Sequence, residues 1–139
     1  RPRIMASILK VDDLRGNTSA GDITITSEGG SATMQLQQGM AKSWVSINGT
    51  STPSVRDSFN VASLTDGGTG KMEPNTTNAF SSTDSMVVSG GAANGTGSGS
   101  QYKPSTWVST TSSYWVGAVW GTTSYDVLYM MGQVTGDLA

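Results

Sequence analysis

Tyr114-Trp115-Val116-Gly117-Ala118-Val119-Trp120 is the stretch that decides the fold. In an extended chain Tyr114, Val116, Ala118 and Trp120 share one face, and Trp115, Gly117 and Val119 share the other. Neither face is polar, so the spacing predicts a strand covered on both sides, in the middle of a sandwich or at a subunit contact. Tyr125 to Met131 repeats the pattern, with Tyr125, Val127, Tyr129 and Met131 alternating against Asp126, Leu128 and Met130. Upstream, Trp44 to Ile47, Phe59 to Val61 and Met86 to Val88 read as shorter strands, bounded by turn residues such as Asn48-Gly49 and Asp66-Gly67-Gly68. Ser89 to Ser100 contains no side chain large enough to pack and is predicted to be a flexible exposed loop.

Near the N-terminus the apolar residues thin out. Ile8 to Leu14 and Ile23-Thr24-Ile25 read as short extended pieces joined by the polar stretch Gly16 to Asp22. Ala32 to Gln38 alternates as a half-buried strand would, with a short helical turn through Gln38 to Lys42 as the competing reading. The 139 residues suffice for one ordinary core. The expectation is therefore an all-β chain. Residues 1–40 form an extended attachment and oligomerisation segment, and residues 41–139 an antiparallel, jelly-roll-like β-sandwich.

Composition excludes several chemistries. Glycine, serine and threonine make up about two-fifths of the chain, and only 13% of it is charged, roughly half the usual share. The net charge of −2 is spread without basic clusters, so no phosphate-tracking nucleic-acid groove is predicted. There is no cysteine and no histidine. That removes thiolate or imidazole zinc sites, disulfides, thiol nucleophiles and Ser-His-Asp relays. The glycine-rich stretch lacks the Gly-Lys-Ser/Thr of a phosphate loop, and no Asp-x-Asp spacing of calcium-loop type occurs. No apolar run approaches the ~20 residues of a membrane span, and Arg1-Pro2-Arg3-Ile4 lacks the apolar stretch of a signal peptide, so a soluble chain is expected, with Met5-Ala6 readable as a natural start. No catalytic residue, metal or cofactor is predicted.

Two groups stand out as candidates. Arg56-Asp57, between Val55 and the strand near Phe59, suits a fixed structural ion pair, because a planar guanidinium matches a carboxylate. Seven of the aromatic residues fall in the last third of the chain, and most are expected in the core. Tyr102 and Trp107 flank Lys103-Pro104-Ser105-Thr106, read as a loop, and are the candidate surface contacts for a ligand such as a sugar ring. Most of the acidic residues sit beside glycine, serine or threonine in turns, which disfavours the paired carboxylates of sugar hydrolysis.

Several strings resemble small structural proteins of marine bacteriophages, cyanophages especially. They are Ser7 to Leu14, Thr18 to Ile23, Leu36 to Val45, Val55-Arg56-Asp57-Ser58-Phe59-Asn60-Val61 and the closing Gly136-Asp137-Leu138-Ala139. The resemblance implies a virion part, labelled tail-fibre-like or structural, made in the host cytoplasm and assembled into the particle. Fibres and spikes of this kind are commonly intertwined trimers. A homotrimer would supply the partner surface that the N-terminal third lacks and would hide strand edges. The expected partners are copies of the chain, other virion proteins bound through the N-terminal segment, and a host surface glycan; insertion into a membrane is not expected. The chain departs from its look-alikes at Lys71-Met72-Glu73-Pro74, where proline argues for an edge or an interrupted strand. The function implied is a non-enzymatic tail-fibre-like appendage or capsid-surface decoration. The alternatives are a carbohydrate-binding knob and, least favoured, a glycan-degrading tailspike.

Overall fold

The computed structural model describes residues 9–19, 23–27, 29–95 and 102–139. The chain divides into two compact units, Arg1–Gln37 and Gln38–Ala139.

In the first unit, residues 9–14 form no strand, against the extended reading of Ile8 to Leu14, whose first residue lies outside the described set. A short exposed ion pair joins Arg15 to Asp13 at 2.6 Å. Strand β1 (Thr24–Thr26) pairs antiparallel with β2 (Thr33–Gln35), Ile25 opposite Met34. Among the described side chains, the half-burial read for Ala32 to Gln38 is found only at Leu36; β2 itself is exposed along its length, Met34 included. A 3-10 turn, Gln37–Gly39, follows it, so a strand and a turn share the segment. An isolated two-stranded hairpin is marginal in water, and among the described residues no third strand joins this one.

The second unit is an antiparallel β-sandwich. One sheet runs β4 (Ser54–Phe59), β3 (Ser43–Asn48), β11 (Tyr129–Thr135), β7 (Val87–Ala93). The other runs β5 (Ser63–Asp66), β6 (Lys71–Asn75), β9 (Ser113–Trp120), with β8 (Lys103–Thr110) on the far side of β9 and the short β10 (Thr123–Ser124) folding back on the end of β9. Val45, Ile47, Met130 and Val134 from the first sheet meet Tyr114 and Val116 from the second in one core, which Phe80 and Val127 close. Ser43 and Tyr114 join the sheets through a buried hydroxyl pair, 3.1 Å apart.

The strand Tyr114 to Trp120 lies inside its sheet, between β6 and β8, but it is not covered on both faces: Tyr114, Val116 and Ala118 enter the core, while Trp115 and Val119 on the outer face stay half-buried. Lys71-Met72-Glu73-Pro74 is an interior strand rather than an edge. Its pairing to β9 holds at Lys71, Met72 and Asn75 and lapses at Glu73 and Pro74, where the proline ring has no N–H to donate. The strand read over Tyr125 to Met131 begins only at Tyr129. Tyr125 to Leu128 instead crosses between the sheets: the Tyr125 amide donates to the Ala118 carbonyl, and the Val127 carbonyl accepts from the Gly49 amide. Val127 is fully buried there, which is why the alternation continues through a crossing. The loop read over Ser89 to Ser100 is also corrected, since Ser89 to Ala93 belong to β7 and pair with β11; residues 96–100 lie outside the described set. Pairing overrides weak propensity here, and small residues are required, because a Cβ on Gly90 would stand 2.6 Å from the Met131 carbonyl oxygen and 2.7 Å from Thr106 Cγ2.

Phe59-Asn60-Val61 is not a strand, because β4 ends at Phe59 and Asn60 takes a left-handed φ of 56°. Its side-chain amide donates to the carbonyls of Lys42 (3.0 Å) and Asn78 (3.2 Å) and accepts from the Asn78 amide (2.7 Å). Asn60→Ala is expected to lower the unfolding free energy by roughly 2–3 kcal/mol, combining three lost hydrogen bonds with the strain of alanine at positive φ. Asn60→Gly relieves only the strain and should recover about 1 kcal/mol of that. Urea titration of the two variants checks both figures.

Candidate binding surfaces

Tyr102 and Trp107 do not form one site. Trp107 lies inside β8, not in a loop, and pairs with Trp115 of β9; Tyr102 precedes β8 by one residue. Five positions along an extended chain put the two rings on opposite faces of the sheet. Strand pairing across β8 and β9 overrides the turn-like look of Lys103-Pro104-Ser105-Thr106, because a proline at the second position of an edge strand removes no ladder bond that the neighbour needs.

On the outer face, Trp107 and Trp115 stack with centroids 5.6 Å apart and planes 18° from parallel. Trp115 in turn covers the β5–β6 turn, where a Cβ on Gly67 would collide with its six-membered ring. The register continues the row sideways: Glu73 stands between the paired positions that flank Trp115, and Thr65 pairs with Glu73. The result is a braced, half-exposed indole in an otherwise polar sheet face that also carries Lys71 and Asn75.

Tyr102 belongs to a different cluster at the end of the sandwich. It meets Trp120 edge-on at 5.8 Å (84°) and Tyr125 at 5.6 Å (64°). Rings this close fill the space between them, so the trio is a packed cap with exposed rims and has no gap for a cation.

Arg56 and Asp57 do not pair with each other, contrary to the ion pair read from their adjacency. The β3–β4 register shifts between Ser46 and Ile47, and the resulting bulge sends the guanidinium toward β11. It donates to the Leu128 carbonyl at 3.1 Å and lies 4.7 Å over the Tyr129 ring. The Asp57 carboxylate accepts from the Ser58 amide at 2.8 Å.

The outer face of the β4–β3–β11–β7 sheet carries an open cleft of about 450 Å³, lined by Trp44, Ser46, Ser89, Gly91, Met131 and Gln133. Sequence reasoning missed it, since its walls come from strands far apart in the chain. The available signal was Trp44, whose strand neighbours Val45 and Ile47 point inward in alternation with it.

Compared with protein-family models, curated proteins and solved structures, the chain matches none. Its chemistry is therefore read from its own groups. Among the described residues no three Asp or Glu side chains gather to hold a metal ion, and every buried side-chain nitrogen or oxygen has a hydrogen-bond partner. Among the same residues no helix is long and apolar enough to cross a membrane. Asp66 and Asp126 accept from the Gly68 and Gly70 amides, at 2.8 and 2.7 Å, as turn-fixing carboxylates do. Burial pushes the Tyr114 phenol above its ordinary pKa, partly offset by the hydrogen bond to Ser43, and this group faces the core. The arrangement offers surfaces for contact: a braced indole on one sheet and an apolar cleft on the other.

Proposed function

We propose that this chain is a non-enzymatic structural protein of a bacteriophage particle, a tail-fibre-like appendage or capsid-surface decoration. It assembles as a homotrimer, anchored to other virion proteins through its first forty residues, with the sandwich held outward. One observation carries the reading: no described side chain from Leu9 to Ala41 is buried within the single chain, and Leu9, Val11, Leu14, Ile25, Met34 and Met40 are all exposed. A segment that presents this much apolar surface and fully buries none of its described side chains gains stability from a partner. The phage resemblance of the strings in this segment names the kind of partner.

Light scattering of the full chain, coupled to size exclusion, is expected to give a mass near three times 14.4 kDa. Hydrogen exchange on the same sample should show slowed amides between Thr24 and Gln35. A mass of 14.4 kDa with freely exchanging amides in the hairpin overturns the proposal.

A second reading, carbohydrate binding, rests on Trp107, whose ring is held rigid by Trp115 yet remains open to solvent. Pre-organised aromatic surface lowers the ordering cost of stacking a sugar ring. Saturable quenching of tryptophan fluorescence by a soluble bacterial polysaccharide, lost in Trp107→Ala, supports it. Release of reducing ends in that mixture means hydrolysis and contradicts a non-enzymatic role.

A further inference from the structure

The two outer faces of the sandwich differ in a way that solvent alone does not require. The face of the β5–β6–β9–β8 sheet surrounds its indole pair with Lys71, Glu73, Asn75, Thr65 and Ser105, as a wetted sheet does. The face of the β4–β3–β11–β7 sheet does not. Its outward positions on β3, β11 and β7 include Trp44, Met131 and Val87 with serine, glycine and glutamine between them, and no charged side chain. Charge enters only from β4, where the Asp57 carboxylate stays at the rim and the Arg56 guanidinium reaches across to the Leu128 carbonyl and the Tyr129 ring.

Phe59 of β4 pairs across the sheet with Trp44 and stands 53% exposed as a ridge. Beside it the cleft spans β3, β11 and β7, with Gly91 and Ser89 as its floor and Trp44 and Met131 as its walls. Exposures of 53% for Phe59, 37% for Trp44, 42% for Met131 and 65% for Val87 leave roughly 400 Å² of apolar side chain on this one face. A standard interface takes about 800 Å² from each partner, a little over half of it apolar, so this patch matches the apolar share that a stable contact between folded copies needs.

We propose that this face is where copies of the chain meet: the Phe59 ridge of one copy seats in the Ser89–Gly91–Met131 cleft of the next. Ridge and cleft are different parts of one face, so the contact is head-to-tail and can close into a ring, as three copies would. The Asp57 carboxylate at the rim and the exposed Arg56 guanidinium over Tyr129 give each copy both signs to offer the other, which sets the register of the contact. The proposal rests on the oligomeric reading above and adds to it the surface responsible.

The test is light scattering over a concentration series on the full chain and three variants. Phe59→Lys places a charge on the ridge. Gly91→Glu fills the cleft, where an added Cβ meets only the flexible end of Met131, at 3.1 Å, and so leaves the single chain able to fold. Trp107→Ser removes an exposed indole from the opposite sheet as a control. Ridge and cleft variants are expected to raise the dissociation concentration at least tenfold and shift the mass toward 14.4 kDa, with the control unchanged. Urea midpoints at dilutions below dissociation confirm that each variant folds. An oligomer that persists in both folded variants overturns this face as the contact and leaves the oligomeric reading standing. A wild-type chain at 14.4 kDa throughout the series overturns both.

Discussion

Gly70→Ala is expected to destabilise the sandwich by roughly 3–5 kcal/mol, a large part of the 5–15 kcal/mol that holds an ordinary domain together. Two costs add at this position. Gly70 has a φ of +67°, which an L-residue with a Cβ adopts only under strain. The Cβ would also lie 2.5 Å from the Tyr125 nitrogen, 2.8 Å from the Tyr125 oxygen and 2.9 Å from the Ala118 oxygen, all backbone atoms that no rotamer change can move. The position is a junction. The Gly70 amide donates to Asp126, its carbonyl accepts from the Ala118 amide at 3.1 Å, and Ala118 in turn accepts from Tyr125 at 3.0 Å. Displacing Gly70 therefore loosens the start of β6, the middle of β9 and the crossing segment together. Gly121→Ala separates the two costs, because Gly121 has a φ of +63° with nothing within 4 Å of the added atom. That variant should lose only about 1–2 kcal/mol. Equal urea midpoints for the two variants would show that the crowding around Gly70 is of no consequence.

Tyr114→Ala should cost a further class of energy, about 3–5 kcal/mol, by opening a cavity between the sheets. Tyr114 is the largest of the fully buried side chains, and its hydroxyl spans from β9 to Ser43 on β3. Tyr114→Phe retains the ring and should cost only about 1 kcal/mol, since Ser43 keeps a long contact, 3.5 Å, to the Asn60 carbonyl. The wild-type protein and Tyr114→Phe differ again in their dependence on pH. Burial holds the folded-state phenol pKa above the ordinary 10.0, with the Ser43 hydrogen bond working in the opposite direction. Between those values the unfolded chain has released a proton that the folded chain retains. Stability from this group is thus fully present below about pH 10 and declines as the pH rises toward the folded-state value. In Tyr114→Phe that part of the alkaline decline should vanish. Urea midpoints measured for both proteins at about pH 8 and about pH 11 test it, and parallel declines would mean that Tyr114 does not titrate between them.

The strands whose apolar pattern runs on both faces were legible from the chain alone, and so was the all-β class. Tyr114 to Trp120 alternates because Tyr114, Val116 and Ala118 must enter the core while Trp115 on the other face packs against its neighbour Trp107, a constraint local enough to appear in the order of residues. Val127 shows where this reading stops. Its side chain is buried and keeps the alternation, yet the backbone around it crosses from one sheet to the other, since burial and strand pairing are separate requirements. The candidate surface residues were harder still. Tyr102 and Trp107 are near in sequence but face opposite ways, and Arg56 turns from its neighbour Asp57 to Leu128 and Tyr129, 72 and 73 positions along the chain, because of a bulge in the register.

What the sequence determined by itself is the class and the exclusions: period-two alternation, abundant turn formers, and no thiol or imidazole to build a relay or a zinc site. What only the tertiary structure decided is which long-range pairs form. Ser89 to Ala93, with nothing in its side chains to mark a strand, becomes one because β11 presents an unpaired row of amides and carbonyls and only small residues fit beside Thr106 and Met131. The apolar cleft and the Phe59 ridge follow from that pairing. Backbone hydrogen bonding carries no residue-specific signature, so a surface assembled from four strands drawn from across the chain exists only once the strands have met.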